Sequence, residues 1–198
     1  SINYTYDANG IKLRKTVSGT TTDYAGNYIY ENNTLQFFSH PEGYVKNDNG
    51  TFNHVYQYKD HLGNVRLSYT DANNDGVITA SSDPNTNEII EENSYYPYGF
   101  KMRGFNSIVS SNGNSIAQKF KYNGKELQED LGLNMYDYGA RFYDPALARF
   151  NVIDRYAEEF EFQSSYVYAA NNPVIFIDKN GDGPILGILG LLAGAVVE

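Results

Sequence analysis

The sequence predicts a mainly β protein made of short strands and turns. Three observations indicate this fold class: 19 tyrosines and 11 phenylalanines in 198 residues, glycine- and asparagine-rich turns at short intervals, and one helical pattern only, from Arg155 to Tyr168. Aromatic residues favour extended, half-buried backbone, and Asn-Gly pairs favour tight hairpins. Because a buried tyrosine hydroxyl needs a partner, we expect thin sheets whose aromatic cores satisfy each hydroxyl.

Residues 1–70 have the pattern of consecutive hairpins. Polar turns at Asn9-Gly10, Asn32-Asn33 and Gly63-Asn64 each separate two tyrosine-bearing apolar runs. The unit returns about every twenty residues, which is typical of a loose internal repeat whose members stack on their neighbours. We therefore predict YD-repeat-like β-hairpins over 1–70.

The rest of the chain divides into three further regions. Residues 71–115 are rich in Asn, Asp, Ser and Gly and predict a turn-rich insertion. Strands and turns resume over 116–183, where Asp154 is a candidate N-cap for the predicted helix. Residues 184–198 form an apolar tail, shorter than the roughly twenty residues of a membrane span. We interpret it as packed within its own fold or as the start of a downstream segment; an interfacial segment is the alternative.

Composition excludes several classes of function. A formal net charge of -9 and a pI near 4.8 disfavour binding to nucleic acid or to an anionic membrane. The chain has no cysteine, and its three histidines carry no zinc-binding spacing, so we expect neither a disulfide framework nor a zinc site. It begins at Ser1 with no leader-like segment, and we expect a piece of a longer polypeptide.

Two colinear motifs carry a family resemblance. They are DHLGNVR at Asp60–Arg66 and GLNMYDYGARFYDPALARF at Gly132–Phe150. The segment YTYDANG precedes both, and YYPYGF lies between them. In this order they resemble the RHS repeat-associated core domain of bacterial YD-repeat proteins. The resemblance implies hairpins that spiral into a hollow shell, with a C-terminal plug containing a short helix over 116–183. It also implies that upstream YD repeats and a downstream segment of the same parent chain are its partners.

The resemblance further implies an aspartate pair for self-cleavage. In many relatives paired DPxG-like motifs release a C-terminal toxin, with one carboxylate activating water and its protonated neighbour polarising the peptide carbonyl. The matching positions are Asp154 and Asp178. Both following prolines are absent and only Gly181 is retained, which predicts less fixed turns. The competing interpretation makes Asp154 a helix cap and Asp178 a turn carboxylate that binds backbone amides.

The remaining candidate residues have structural interpretations. Arg141 and Arg149 flank the aromatic signature, and we expect them to stack on tyrosine rings or to clamp a carboxylate or carbonyl within the plug. Asp144-Pro145 punctuates the same signature as a turn.

The segment DANNDG resembles the opening of a calcium loop. Asp71, Asn73 and Asp75 offer oxygen ligands at alternate positions, yet Ser82 stands where the bidentate acid belongs. DKNGDG, from Asp178, has the same pattern with the same defect, and turn chemistry is the favoured interpretation for both. No cofactor fingerprint is present.

Three functional hypotheses follow. The first is a secreted, non-enzymatic shell component that encloses or presents a C-terminal toxin or effector. The second is a cell-surface interaction protein with an uncleaved shell, acting in adhesion, gliding motility or type IX secretion together with surface-complex proteins. The third is a self-cleaving aspartyl protease that releases a toxin. All three place the protein outside the cell or at its surface.

Overall fold

The computed structural model describes residues 1–104 and 110–186, and over this part the chain is mainly β, as the sequence predicts. The expected apolar tail lies outside the described residues from position 187 onward. The fifteen strands of the described part are β1 Ile2–Tyr6, β2 Lys12–Val17, β3 Thr20–Ala25, β4 Tyr28–Glu31, β5 Thr34–His40, β6 Gly43–Asp48, β7 Thr51–Lys59, β8 Val65–Tyr69, β9 Ile89–Glu92, β10 Glu126–Gln128, β11 Met135–Asp137, β12 Phe142–Asp144, β13 Arg149–Phe150, β14 Phe176–Asp178 and β15 Pro184–Leu186.

The chain divides into two compact units. The first comprises Ser1–Lys59, Val65–Ser94 and Met102–Phe120, and the second Asp60–Asn64, Tyr95–Lys101 and Lys121 onward.

The first unit contains one nine-stranded antiparallel sheet in the order β1 to β9, so every strand pairs with its neighbours in sequence. The predicted hairpin turns are present: Gly10 donates its N–H to the Asp7 carbonyl, and Asn32 and Asn33 both take positive φ. Gly43 in β6 lies so close to β7 that a Cβ on it would stand 2.1 Å from the Val55 carbonyl oxygen.

The core of the first unit lies on one face of this sheet. Its residues are apolar or aromatic: Ile29, Phe37, Tyr44, Val55, Ile90, Ile116 and Ala117. The turn-rich region 71–115 contributes β9, which is the last strand of the sheet and supplies Ile90 to this core. The 3-10 turn Ala117–Lys119, which follows that region, supplies Ala117. Burial raises the pKa of the Tyr44 hydroxyl well above its usual value.

The second unit contains a four-stranded antiparallel sheet, β10 to β13, and the hairpin β14–β15. Its core is almost wholly tyrosine: Tyr95, Tyr122, Tyr136, Tyr138, Tyr143, Tyr168, with Phe150 and Ala169. As expected, buried hydroxyls find partners: Tyr122 donates to the Pro97 carbonyl at 2.7 Å and Tyr143 to the Tyr98 carbonyl at 2.8 Å. Burial raises the pKa of Tyr122 to about 12, and the pKa values of Tyr138, Tyr143 and Tyr168 rise further for the same reason.

Two local predictions need correction. The helix expected from Arg155 to Tyr168 is a single 3-10 turn, Ala157–Phe160. The cluster of Lys119, Lys121 and Lys125, followed directly by acidic residues, predicts a solvated face. Lys125 is instead half-buried: its Nζ donates to the Lys179 carbonyl and lies 5.1 Å from the Tyr138 ring centroid. Burial accordingly lowers the pKa of Lys125.

Candidate functional site: a paired-aspartate centre on Arg141

The site belongs to the second unit and is built from three separate stretches of chain. Arg141 lies in the turn between β11 and β12, Asp154 follows β13, and Asp178 ends β14. The structure brings these three side chains together although 13 and 24 residues separate them along the sequence. We call Arg141, Asp154 and Asp178 the paired-aspartate centre.

Arg141 is the hub of this centre. Its Nη2 donates to Asp154 Oδ2 at 2.7 Å and lies 3.5 Å from Asp178 Oδ2. Its Nε donates to the Gly181 carbonyl at 2.5 Å and its Nη1 to the Ser165 carbonyl at 3.2 Å. Its guanidinium carbon lies 3.8 Å from the centre of the Phe150 ring. With 4% exposure, Arg141 is a buried cation whose donors are directed to oxygen on several sides.

Asp178 is even more buried, with 1% exposure. Its carboxylate accepts four backbone N–H groups from the turn that follows it: Oδ1 from Gly181 at 2.7 Å, Asp182 at 3.1 Å and Asn180 at 3.3 Å, and Oδ2 from Gly183 at 3.1 Å. Burial raises the pKa of Asp178, and the amides and Arg141 oppose that rise without cancelling it.

Asp154 plays a different part from the one its helix-cap pattern predicts. The 3-10 turn that follows has no side-chain cap, and Asp154 Oδ1 accepts the N–H of Tyr156 at 2.8 Å in a local turn. Its other oxygen is the one that Arg141 binds. The carboxylate is therefore fixed from both sides, by backbone and by a buried cation.

This arrangement gives the two aspartates unequal surroundings. Both carboxylates reach the same arginine nitrogen, so their nearest oxygens can be no farther apart than the sum of those two contacts. Asp154 has the closer ion pair, while the pKa of Asp178 is raised by burial. Two carboxyl groups held on one arginine in unequal surroundings form an arrangement that acid–base hydrolysis can use.

The other residues singled out by the sequence belong to the same unit as the centre. Asp144 Oδ1 accepts the N–H groups of Ala146 and Leu147, which fixes the turn containing Pro145. The Arg149 guanidinium lies 5.7 Å from the ring centroid of Tyr166. Gly181 takes φ +83°, and a Cβ there would approach the Arg141 backbone nitrogen at 3.1 Å.

Asn123 is a central residue that the sequence did not reveal. Its Oδ1 lies 2.6 Å from the hydroxyls of both Tyr138 and Tyr168, and its Nδ2 donates to the Leu62 carbonyl. Its backbone N–H donates to Asn64 Oδ1 at 2.8 Å. The segment KYNGKE, Lys121–Glu126, predicts a turn, and Asn123 does take φ +50°. That pattern does not predict the hydrogen bonds to Tyr138 and Tyr168.

The candidate calcium loop is closed on itself. Asp71 accepts the N–H groups of Asp75 and Gly76, and Asn73 Oδ1 also accepts that of Asp75. Buried Glu88 accepts further N–H groups of the same loop, at Ala72 and Thr79. Within residues 1–104 and 110–186, no group of three or more acidic, histidine or cysteine side chains is arranged to hold a metal ion. Calcium binding stays a prediction.

Of the helices in the described part of the chain, none has the length and apolarity to cross a membrane.

No family model matches the chain. Among curated proteins, salivary gland surface protein 1 of Aedes aegypti is 34% identical over 138 residues, which are 70% of this chain and 3% of that protein. The tRNA3(Ser)-specific nuclease WapA of Bacillus spizizenii is 26% identical over 190 residues, 90% of this chain and 7% of the nuclease. The tRNA nuclease WapA of Bacillus subtilis strain 168 gives 26% over 186 residues, with the same coverages.

Solved structures show the same fold. The crystal structure of TcdB2-TccC3 without its hypervariable C-terminal region matches 91% of this chain and 9% of that chain, with a TM-score of 0.60 and 19% identity. The Photorhabdus luminescens Tc holotoxin pore with a mutated TccC3 matches 93% of this chain and 9% of that one, with a TM-score of 0.62 and 20% identity. This chain thus spans less than a tenth of each of these proteins. The solved structures support the mainly β fold of this chain.

Proposed function

We propose that this chain is the C-terminal core part of a secreted, RHS-type YD-repeat shell that encloses or presents a segment of its own parent chain. It acts as a non-enzymatic carrier or scaffold. The observation that carries this proposal is the nine-stranded sheet in which each strand pairs with its sequence neighbours. A sheet of this kind extends by adding hairpins at an outer strand such as β1, and each added hairpin covers an exposed edge.

The paired-aspartate centre supports the carrier role. Arg141 ties the turn after β14 to the turn between β11 and β12 through the Gly181 carbonyl and Asp178. The pairing of β14 with β15 continues from that point to Leu186. Any polypeptide that follows therefore leaves from an anchored position, which a carrier needs in order to present or retain it.

Protease protection in the parent chain tests the carrier role. The parent is treated with a non-specific protease, intact and after mild denaturation, and the segment downstream of position 198 is followed by mass spectrometry. A carrier protects that segment only while folded. Equal digestion in both states would contradict enclosure and would favour an uncleaved surface-interaction protein.

We also propose a second function, aspartate-dependent self-cleavage, which the shared contact of Asp154 and Asp178 with Arg141 supports. In this proposal, one carboxylate of the pair, in its ionised form, takes a proton from water as the water oxygen adds to a peptide carbonyl carbon. Its protonated neighbour donates its proton to the carbonyl oxygen, and the C–N bond then breaks as the first carboxyl group passes its proton to the leaving nitrogen. Arg141 orients both carboxyl groups.

Intact-mass analysis of the parent chain tests this second function. Wild type is compared with Asp178→Asn and Asp154→Asn, and with Asp48→Asn as a control at an exposed strand end of the first unit. Self-cleavage predicts two masses in wild type and control, and one in either centre variant. A single uncut mass in all four proteins would refute self-cleavage and leave the carrier role standing.

A further inference from the structure

A second ion pair joins the two aspartate turns outside the buried centre. Arg155 Nη2 contacts Asp182 Oδ2, and the same oxygen accepts the Asn180 Nδ2 amide at 3.1 Å. The Arg155 side chain is 64% exposed, whereas that of Asp182 is 10% exposed. The pair therefore lies at the solvent boundary of the second unit.

Each partner of this pair is one step from an aspartate of the centre. Arg155 is the residue after Asp154 in the chain, and Asp154 Oδ1 accepts the N–H of the residue that follows Arg155. The backbone N–H of Asp182 donates to Asp178 Oδ1 at 3.1 Å. Arg155 is thus linked to Asp154 through the backbone, and Asp182 is linked to Asp178 by a hydrogen bond.

The pair also lies where neither aspartate is followed by a proline. The residue after Asp154 is an arginine and the residue after Asp178 is a lysine, so neither turn has a proline to fix its φ angle. The Lys125 ammonium binds the Lys179 carbonyl in the second turn, and Arg155 binds Asp182 across the two turns. Contacts made by the Lys125 and Arg155 cations therefore constrain the turns after Asp154 and Asp178.

We propose that Arg155 and Asp182 form an ion-pair latch whose closure sets the separation of Asp154 and Asp178. These two are positioning residues, since they act through the carboxyl groups of the centre. The inference deepens the proposed self-cleavage, because the latch would regulate that same site. Since an exposed pair is screened by salt, the latch makes the centre responsive to ionic strength.

Charges around Asp178 limit which measurement is decisive. Arg141 and Lys125 both face this carboxyl group, so removing a further charge at Arg155 would move its titration even without any change in geometry. Amide hydrogen exchange avoids this difficulty. The N–H groups of Gly181 and Gly183 exchange only when they leave the Asp178 carboxylate, which reports the opening of the turn itself.

The experiment compares hydrogen–deuterium exchange of the peptide over 178–183 in the parent chain, in low and in 1 M salt. Arg155→Gln should accelerate exchange about twofold to fivefold in low salt, the range that an exposed ion pair supports. High salt should accelerate wild type similarly and leave Arg155→Gln unchanged. The charge-swapped variant Arg155→Asp/Asp182→Arg should restore slow exchange.

Arg14→Gln is the matched control, because it breaks another exposed arginine–aspartate pair, with Asp23, in the first unit. It should leave exchange over 178–183 unchanged. Exchange that is insensitive to Arg155→Gln, or equal acceleration by salt in wild type and variant, would overturn the latch. These outcomes do not depend on cleavage. Where the parent does cleave itself, Arg155→Gln should slow it and remove its salt dependence.

Discussion

The shared acceptor Asn123 leads to a sharp prediction about Tyr138 and Tyr168. Both hydroxyls lie 2.6 Å from Asn123 Oδ1, and they lie 3.3 Å from each other. Replacing one tyrosine by phenylalanine leaves the oxygen with one donor. Replacing both leaves it facing two buried rings, where water has little access, because the two tyrosines are 2% and 0% exposed.

The expected free energies follow from that difference. One lost neutral hydrogen bond costs about 1 kcal/mol, so Tyr138→Phe and Tyr168→Phe should each destabilise by about that amount. In the double variant the unsatisfied acceptor adds about 1–3 kcal/mol to the two lost bonds. The double variant should therefore lose about 3–5 kcal/mol, which exceeds the two single effects together.

Urea unfolding of the four proteins gives the double-mutant cycle that measures this excess. Tyr58→Phe is the control, since that residue of β7 is 67% exposed and should change stability by less than about 0.5 kcal/mol. Additive single effects, with no excess in the double variant, would show that Asn123 Oδ1 finds another donor and would refute this reasoning.

Three further outcomes are expected. Arg141→Met should destabilise by about 3–5 kcal/mol in urea unfolding, because it leaves the buried Asp178 and the half-buried Asp154 without their cation. The pKa of Asp178 is raised in the folded state, so the folded protein holds the Asp178 proton more tightly than the unfolded chain does. The stability that this proton contributes is therefore present below the unfolded pKa and is lost as pH rises through the folded pKa. Asp178→Asn should remove this pH-dependent part of the unfolding free energy, which urea unfolding over a range of pH measures. Gly43→Ala should prevent normal pairing of β6 with β7, since its Cβ would overlap a backbone oxygen, whereas Gly50→Ala, with no atom within 4 Å, should be much milder; circular dichroism and thermal melting of both variants test this.

Local chemistry explains why the strands could be predicted. The hairpins at Asn9-Gly10 and Asn32-Asn33 depend on residues that tolerate positive φ between two aromatic runs, and these signals lie within a few residues of each other. The predicted helix failed for a related reason. Its acidic first turn and candidate cap are local signals too, but the Asp154 carboxylate is engaged by Arg141, a tertiary partner that no helix pattern contains.

The centre itself could be predicted only in part. Family resemblance pointed to Asp154 and Asp178, and the residue type of Arg141 suggested a clamp, but its simultaneous contact with both aspartates depends on how three turns pack. Asn123 gave no signal, because its contacts come from tyrosines 15 and 45 residues away. A side chain that bonds to residues far along the chain produces no helix or strand periodicity by which the sequence could reveal it.

The turn after Asp178 is held by hydrogen bonds where the sequence has no proline. Proline restricts one φ angle, and its absence predicts a less fixed turn. Asp178 is instead oriented by four amides of its own turn, and Gly181 both donates one of them and lends its carbonyl to Arg141. These bonds depend on Gly181 at φ +83°, a conformation that a side chain would strain. Gly181→Ala should therefore disturb both the amide contact to Asp178 and the carbonyl contact to Arg141, because the same residue makes both.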